Sequence, residues 1–142
     1  VAGVFALLGL IQLIKRKSVF KVDKSLLLLG IFYAIVIILY VFFEKVIINY
    51  RPILMDGQLE ASFPSSHTMM SIFICGSAII MNKKVYTKMP KIVNILLGLL
   101  LILIVLGRLF SGVHWATDII GGLLISTALL VSFYTIITNI KG

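Results

Sequence analysis

The sequence predicts an all-α, multi-pass transmembrane helical bundle. Of its 142 residues, 61% are hydrophobic and 13% are charged, a balance far more apolar than that of soluble domains. The apolar residues form runs long enough to cross a bilayer as helices, and most charged residues lie between these runs. We therefore expect a single membrane domain over residues 1–142, without a separate soluble module.

Four apolar runs predict full membrane spans. The uncharged run from Ser25 to Phe43 is close to the roughly 20 residues that cross a bilayer as a helix. Three further runs, Ser65 to Met81, Ile92 to Leu106 and Thr117 to Ile140, are long enough when tilt is allowed. Val1 to Ile14 is shorter and predicts a partial N-terminal span, so we expect further sequence upstream of it.

The basic residues predict the orientation of the bundle. Most of the 13 basic residues fall on one side of the predicted spans, which the positive-inside rule makes cytoplasmic. They are Lys15, Arg16, Lys17, Lys21, Lys24, Lys83, Lys84, Lys88, Lys91 and Lys141. The loops at 44–64 and 107–116 are then expected to face outward from a cell membrane. A nucleic-acid partner is not expected, because its binding surface would gather basic residues on one solvated face.

Cationic and hydroxyl side chains cluster on the predicted outer side. A phosphate ester carries negative charge and develops more during transfer, so a catalyst needs fixed cationic donors. Lys45, Arg51 and Arg108 are predicted to form this cradle. Ser65 and Ser66 precede an apolar run as a helix N-cap would, and a helix N-terminus binds anions through its free N–H groups. Both serines are predicted to bind phosphate oxygens.

The two histidines of the chain have distinct predicted roles. His114 and Asp118 are four residues apart, which places them on one face of a helical turn. The carboxylate can hold one ring nitrogen and present the other as a nucleophile that forms a phosphohistidine. His67 is then the general acid for the leaving oxygen. The competing metal site is disfavoured by the His spacing and the nearby cations, and we expect no metal and no cofactor.

These residues resemble the three motifs of the type 2 phosphatidic acid phosphatase (PAP2) family, membrane lipid phosphatases related to vanadium haloperoxidases. The family motifs are KX6RP, PSGH and SRX5HX3D. The matching residues are Lys45 and Arg51 for the first motif, Ser65, Ser66 and His67 for the second, and Arg108, His114 and Asp118 for the third. The resemblance covers residues 45–118 and implies a metal-independent histidine nucleophile. Members in membranes usually have six spans, which again implies upstream sequence.

The chain departs from the family motifs at three points. Lys45 and Arg51 are one residue too close, Ser66 replaces the glycine of the second motif, and Gly107 replaces the serine of the third. Ser66 keeps its backbone N–H, whereas Gly107 lacks a hydroxyl that could hold phosphate. We therefore expect altered phosphate binding before any loss of chemistry.

The predicted position of the site favours a lipid phosphate as the substrate partner. A site at headgroup level suits an amphiphile whose tail stays in the bilayer. The resemblance offers undecaprenyl diphosphate, phosphatidylglycerophosphate, phosphatidic acid or a sugar-lipid phosphate, and we favour the polyprenyl diphosphate. Two alternatives stay open: a phosphotransferase that uses another lipid or sugar as acceptor, and a non-catalytic lipid-binding or transport protein. The sequence leaves the oligomeric state open.

Residues beside the predicted site carry weaker signals. The segment from Ile53 to Phe63 is predicted to be a loop or a short interfacial helix, whose Asp56 and Glu60 either select headgroups or are simply solvated. Trp115 is predicted to anchor the chain at the membrane interface.

Overall fold

The computed structural model describes residues 2–16, 23–84 and 90–141, and these residues form a helical bundle. The helices are α1 (Ala2–Arg16), α2 (Lys24–Lys45), α3 (Ser66–Lys84), α4 (Lys91–Phe110) and α5 (Ala116–Lys141). Within the described residues, β pairing is limited to two isolated bridges. The predicted all-α class is confirmed. Val1, Lys17, Lys21 and Lys88, to which the sequence analysis assigned positions, lie outside the described residues.

The helix ends follow from local capping chemistry. Asp23 precedes α2, and its Oδ1 accepts a hydrogen bond of 2.9 Å from the backbone N–H of Ser25. This bond satisfies one of the unpaired donors at a helix N-terminus. At their other ends, α3 and α4 continue past the apolar runs to include Lys84 and Arg108, and cations are favourable in the last turn of a helix.

Helix α3 lies at the centre of the bundle. It packs most extensively against α5 and α4, and it also contacts α2. The ring of Phe73 in α3 lies 5.9 Å from Phe32 of α2 and 6.2 Å from Phe133 of α5, measured between ring centroids. All three rings are buried, and burying rings of this size is a major source of core stability. These contacts join three helices into one core.

Polar contacts fix the relative directions of the helices. The N–H of Ser65 donates to the carbonyl of Asp118 at 2.9 Å, so α3 and α5 begin side by side. Asn82 Nδ2 donates to Asn94 Oδ1 at 3.1 Å, which joins the end of α3 to the beginning of α4. Helix α4 is therefore antiparallel to α3. One end of the bundle gathers the beginnings of α3 and α5 and the end of α4, and it carries the predicted site.

Three of the described helices are long and apolar enough to cross a membrane. They cover Lys24–Lys45, Lys91–Phe110 and Ala116–Ile140. Helix α3 was also predicted to span, but it does not belong to this set. Its central position explains its composition, because polar residues such as Thr68 and Ser77 are covered by neighbouring helices. The count of four full spans plus a partial one therefore stays a prediction.

Candidate active site

His114 lies in the turn between α4 and α5, and it is buried with 6% of its surface exposed. Its Nδ1 is 3.1 Å from the carbonyl oxygen of Ser62 and 3.2 Å from the Ser62 hydroxyl. Asp118 Oδ2 is slightly farther, at 3.6 Å from Nδ1. The predicted His114–Asp118 pair is present in the structure, but the nearest acceptor for Nδ1 is the backbone of Ser62.

Asp118 occupies the first turn of α5 and has 0% of its surface exposed. Its Oδ2 accepts hydrogen bonds from the Ser62 hydroxyl and, at 2.8 Å, from the backbone N–H of Trp115. The second bond is half of a capping box, in which a side chain in the first turn reaches back to the N–H that precedes the helix. The carboxylate of Asp118 therefore caps the N-terminus of α5 and also lies beside His114.

Residues 49–62 form an irregular hairpin, here called the site hairpin, that carries Arg51 and Ser62 to the histidine. The N–H of Arg51 donates to the carbonyl of Glu60 at 3.1 Å, and the N–H of Ser62 donates to the carbonyl of Asn49 at 2.9 Å. At the tip, Asp56 and Gly57 have φ of 48° and 77°, a left-handed pair that suits a tight two-residue turn. This segment was predicted to be a loop or a short helix, and the structure shows the loop.

The side chain of Trp115 forms a hydrogen bond that links the site hairpin to the beginning of α5. Its indole Nε1 donates to the carbonyl of Tyr50 at 2.9 Å. The sequence analysis assigned Trp115 to membrane anchoring. Together with its backbone bond to Asp118, the indole contact makes it a structural link between two parts of the site.

Two arginines supply positive charge beside His114. Arg51 Nε forms an ion pair with Glu60 Oε2 at 3.2 Å. Arg108 lies in the last turn of α4, and its Nε is buried without a hydrogen-bond partner among the described residues. Both lie within electrostatic reach of His114 and of His67. The structure therefore brings Arg51 and Arg108 close enough to interact electrostatically with both predicted catalytic histidines.

The environment of His114 favours a neutral ring. Burial lowers the pKa of His114, and the positive charges of Arg51 and Arg108 lower it further. Asp118 and the hydrogen bond to the Ser62 carbonyl act in the opposite direction without reversing the shift. A neutral imidazole has one nitrogen with a free lone pair, which is the form that a nucleophile requires. The Nε2 atom is buried and has no hydrogen-bond partner among the described residues.

The two serines predicted to bind phosphate have different surroundings at the beginning of α3. Ser65 is buried, and its Oγ accepts from Thr68 N at 3.5 Å and from Thr68 Oγ1 at 3.0 Å. It is therefore an N-cap, as predicted, and its Oγ acts as the acceptor of both cap hydrogen bonds. Ser66 instead lines the pocket that contains His114. A phosphate contact through the Ser65 hydroxyl stays a prediction without geometric support.

Lys45, which was predicted to bind phosphate, does not line the pocket of His114. It is the last residue of α2 and is exposed. At this end of α2, Phe43 and Glu44 line the pocket of His114. Lys45 does not line that pocket, so its role in the cradle stays a prediction.

Two adjoining cavities meet at the site. A small polar pocket, with about 10 Å³ of space and so room for about one water, is lined by Arg51, Ser62 and His114, among others. A larger cavity of about 780 Å³ is mainly apolar and runs from His67 to Cys75. Tyr40 and Ser66 line both cavities. A phosphate group therefore requires the polar pocket to widen.

The fold and the site together define a helical membrane protein whose buried histidine–aspartate pair faces two arginines. The model of the PAP2 superfamily matches residues 26–141, and the chain belongs to this superfamily. This membership supports a phosphatase that acts on lipids. Within the described residues, no group of three or more His, Cys, Asp or Glu side chains could hold a metal ion.

The same fold is present in a solved membrane protein. The chain is similar to the crystal structure of a transmembrane PAP2-type phosphatidylglycerolphosphate phosphatase from Bacillus subtilis, with 24% sequence identity and a TM-score of 0.63. The match covers 98% of this chain and 67% of that one. The comparison with curated proteins gave no match. The structural likeness supports the helical fold that the sequence predicted.

Proposed function

We propose that this protein is an integral membrane lipid phosphatase that acts through a phosphohistidine at His114. The observation that carries the proposal is the state of the His114 ring. Its Nδ1 is held by Ser62 and lies near Asp118, whereas Nε2 is unpartnered within the described residues and the ring lines a pocket with Arg51. This arrangement is what a nitrogen nucleophile for an anionic ester requires.

The reaction proceeds by two transfers at phosphorus. His114 Nε2 attacks the phosphorus atom, the bond from phosphorus to the leaving oxygen breaks, and His67 donates a proton to that oxygen. Water then attacks the phosphohistidine, gives its proton to His67 and releases inorganic phosphate from His114. Arg51 and Arg108 stabilise the charge on the equatorial oxygens in both steps. No step requires a metal ion or a cofactor.

The adjoining cavities favour an amphiphilic substrate. The apolar cavity of about 780 Å³ borders Ser66 and His67, and it suits a hydrocarbon chain whose phosphate lies among the polar residues. The substrates to test are undecaprenyl diphosphate, which the sequence analysis favoured, and phosphatidic acid. Phosphatidylglycerophosphate, which the resemblance also offered, is tested with them, and the similar Bacillus subtilis protein is described as its phosphatase. The positive-inside pattern further supports an active site on the outer face.

The test is release of phosphate from each lipid by purified protein in detergent with a chelator present. We expect release by the wild type, and we expect His114→Ala and His67→Ala to lower kcat by at least about a thousandfold and a hundredfold, respectively. Lys83→Ala, at the far end of α3, is the matched control and should retain activity. Lipid binding without release by the wild type would instead support a binding protein. Transfer to an added lipid alcohol in place of water would support a phosphotransferase.

A further inference from the structure

Ser62 lies outside the three motifs, yet it contacts both members of the histidine–aspartate pair. It is buried, with 2% of its surface exposed. Its carbonyl oxygen lies 3.1 Å from His114 Nδ1, and its hydroxyl donates to Asp118 Oδ2. Both of its oxygen atoms are therefore engaged with the residues that the reaction requires.

The carbonyl of Ser62 determines which ring nitrogen of His114 carries the hydrogen. A carbonyl oxygen can only accept, so Nδ1 must be the protonated nitrogen of the neutral ring. The lone pair then lies on Nε2. Asp118 alone would not define this state as well, because its Oδ2 is farther from Nδ1, at 3.6 Å.

The hydroxyl of Ser62 holds the carboxylate in place. Asp118 Oδ2 accepts from this hydroxyl and from the N–H of Trp115, whereas Oδ1 has no hydrogen-bond partner among the described residues. Without the hydroxyl, one of two donors that fix Oδ2 is lost. The carboxylate could then turn towards the ring and bind its Nδ1 proton more closely.

We propose that Ser62 is a positioning residue, whose carbonyl fixes the tautomer of His114 and whose hydroxyl fixes the carboxylate of Asp118, so that Nε2 points its lone pair at the substrate. The kinetic part of this inference rests on the proposed function. The part that concerns the tautomer rests on the geometry alone. The two parts have separate tests.

The pH dependence of activity distinguishes positioning from a merely structural role. The charged groups that face His114 are Arg51 from the site hairpin, Arg108 from α4 and Asp118 from α5, and Glu44 at the end of α2 lines the same pocket. Removal of the Ser62 hydroxyl leaves more of the Asp118 negative charge directed at the ring. The protonated ring is then favoured, and the acid limb of the pH profile moves to higher pH.

The kinetic test compares Ser62→Ala with Ser62→Thr, which keeps the hydroxyl. We expect Ser62→Ala to lower kcat roughly tenfold to a hundredfold, as for loss of a hydrogen bond to a charged group, with KM within about twofold. Its acid limb should move to higher pH, and Ser62→Thr should restore most of kcat. The matched control is Ser77→Ala. Ser77 lies in α3, outside the site hairpin, and its buried hydroxyl donates to the carbonyl of Ile74. Unchanged kcat and an unchanged acid limb in a folded Ser62→Ala protein would overturn the proposal.

Nitrogen NMR tests the tautomer without relying on activity. The chain has two histidines, so ¹⁵N-histidine labelling in detergent gives two rings, and His67→Gln assigns them. We expect the Nδ1–H tautomer for neutral His114 in the wild type and also in Ser62→Ala, which keeps the backbone carbonyl, together with a raised pKa of His114 in Ser62→Ala. An Nε2–H tautomer in the wild type would contradict the proposal. Absence of phosphate release from every lipid would refute the proposed function, while this spectrum still decides the role of Ser62.

Discussion

At the scale of single residues, the site depends on His114 being buried but not ionised. Burial of an imidazole opposes its charged form, and Arg51 and Arg108 oppose it further. In the proposed mechanism the same cations bind the phosphate, so one pair of side chains would serve both the anionic substrate and the neutral state of His114. Asp118 limits the lowering of the His114 pKa, since its negative charge favours the protonated ring.

The lowered pKa of His114 predicts that activity persists into mildly acidic solution. The nucleophile must be neutral, so activity falls as pH decreases through the pKa of His114. Because this pKa lies below the ordinary value of 6.5, the acid limb of kcat/KM is expected below pH 6.5 in the wild type. Arg108→Gln removes a cation that lowers the pKa, so its limb should move to higher pH, together with an increase in KM.

The measurement is kcat/KM against pH for the wild type, Arg108→Gln and Lys83→Gln. Lys83 lies in the last turn of α3, at the other end of the bundle, so its replacement controls for the loss of one positive charge. An acid limb above pH 6.5 in the wild type would contradict the assignment of His114 as the neutral nucleophile.

The sequence predicted those site residues whose positions depend on local spacing. His114 and Asp118 lie one helical turn apart, and their pairing follows from that interval. Ser62 is 52 residues before His114, and its contacts depend on the path of the site hairpin, which has no periodic signal. Lys45 was also predicted from motif spacing, and its role stays a prediction. It is the last residue of α2, where Glu44 lines the pocket of His114.

At the scale of secondary structure elements, the close approach of α3 and α5 holds the site together. A Cβ atom on Gly122 would lie 3.0 Å from the carbonyl oxygen of Ser65 and 3.2 Å from the N atom of Met69. Both are backbone atoms, one in the N-cap residue and one in the first turn of α3, and they cannot move without moving the start of the helix. Small residues within a span allow close helix packing, but the sequence alone does not report which two helices approach at Gly122.

Gly122→Val is therefore expected to destabilise the protein and to disturb the site. The added side chain must separate the beginnings of α3 and α5, where Ser65 N contacts Asp118 O. Overpacking of this kind costs roughly 1–3 kcal/mol. Gly98→Val is the matched control, since a Cβ there meets nothing within 4 Å. Thermal unfolding in detergent, followed by the fluorescence of Trp115, the single tryptophan, should show a lower Tm for Gly122→Val alone. Equal Tm values for the two variants would contradict this packing argument.

At the scale of the whole molecule, hydrophobicity predicted the bundle but not the surroundings of each helix. Helix α4 has one buried residue, Leu97, and exposes large apolar side chains such as Leu103, as expected for a helix in lipid. Helix α3 buries nine residues, including polar ones. The side chains of α3 are surrounded by other helices instead of lipid, and those helices can form hydrogen bonds with its polar groups. Composition therefore identifies α4 more readily than the helix that carries Ser66 and His67.

The orientation of the bundle yields the last prediction. The site hairpin is expected outside the cell, and the basic beginning of α4 inside, because cationic loops are retained in the cytoplasm. Cys75 is the single cysteine and is buried, so a Cys75→Ala background allows one cysteine to be introduced at a time. Gln58→Cys, in the hairpin turn, should react with a membrane-impermeant maleimide in intact cells. Lys91→Cys should react only after permeabilisation. The reverse pattern would place the histidine pocket in the cytoplasm and restrict its substrates to lipids of the inner leaflet, whatever the chemistry at His114.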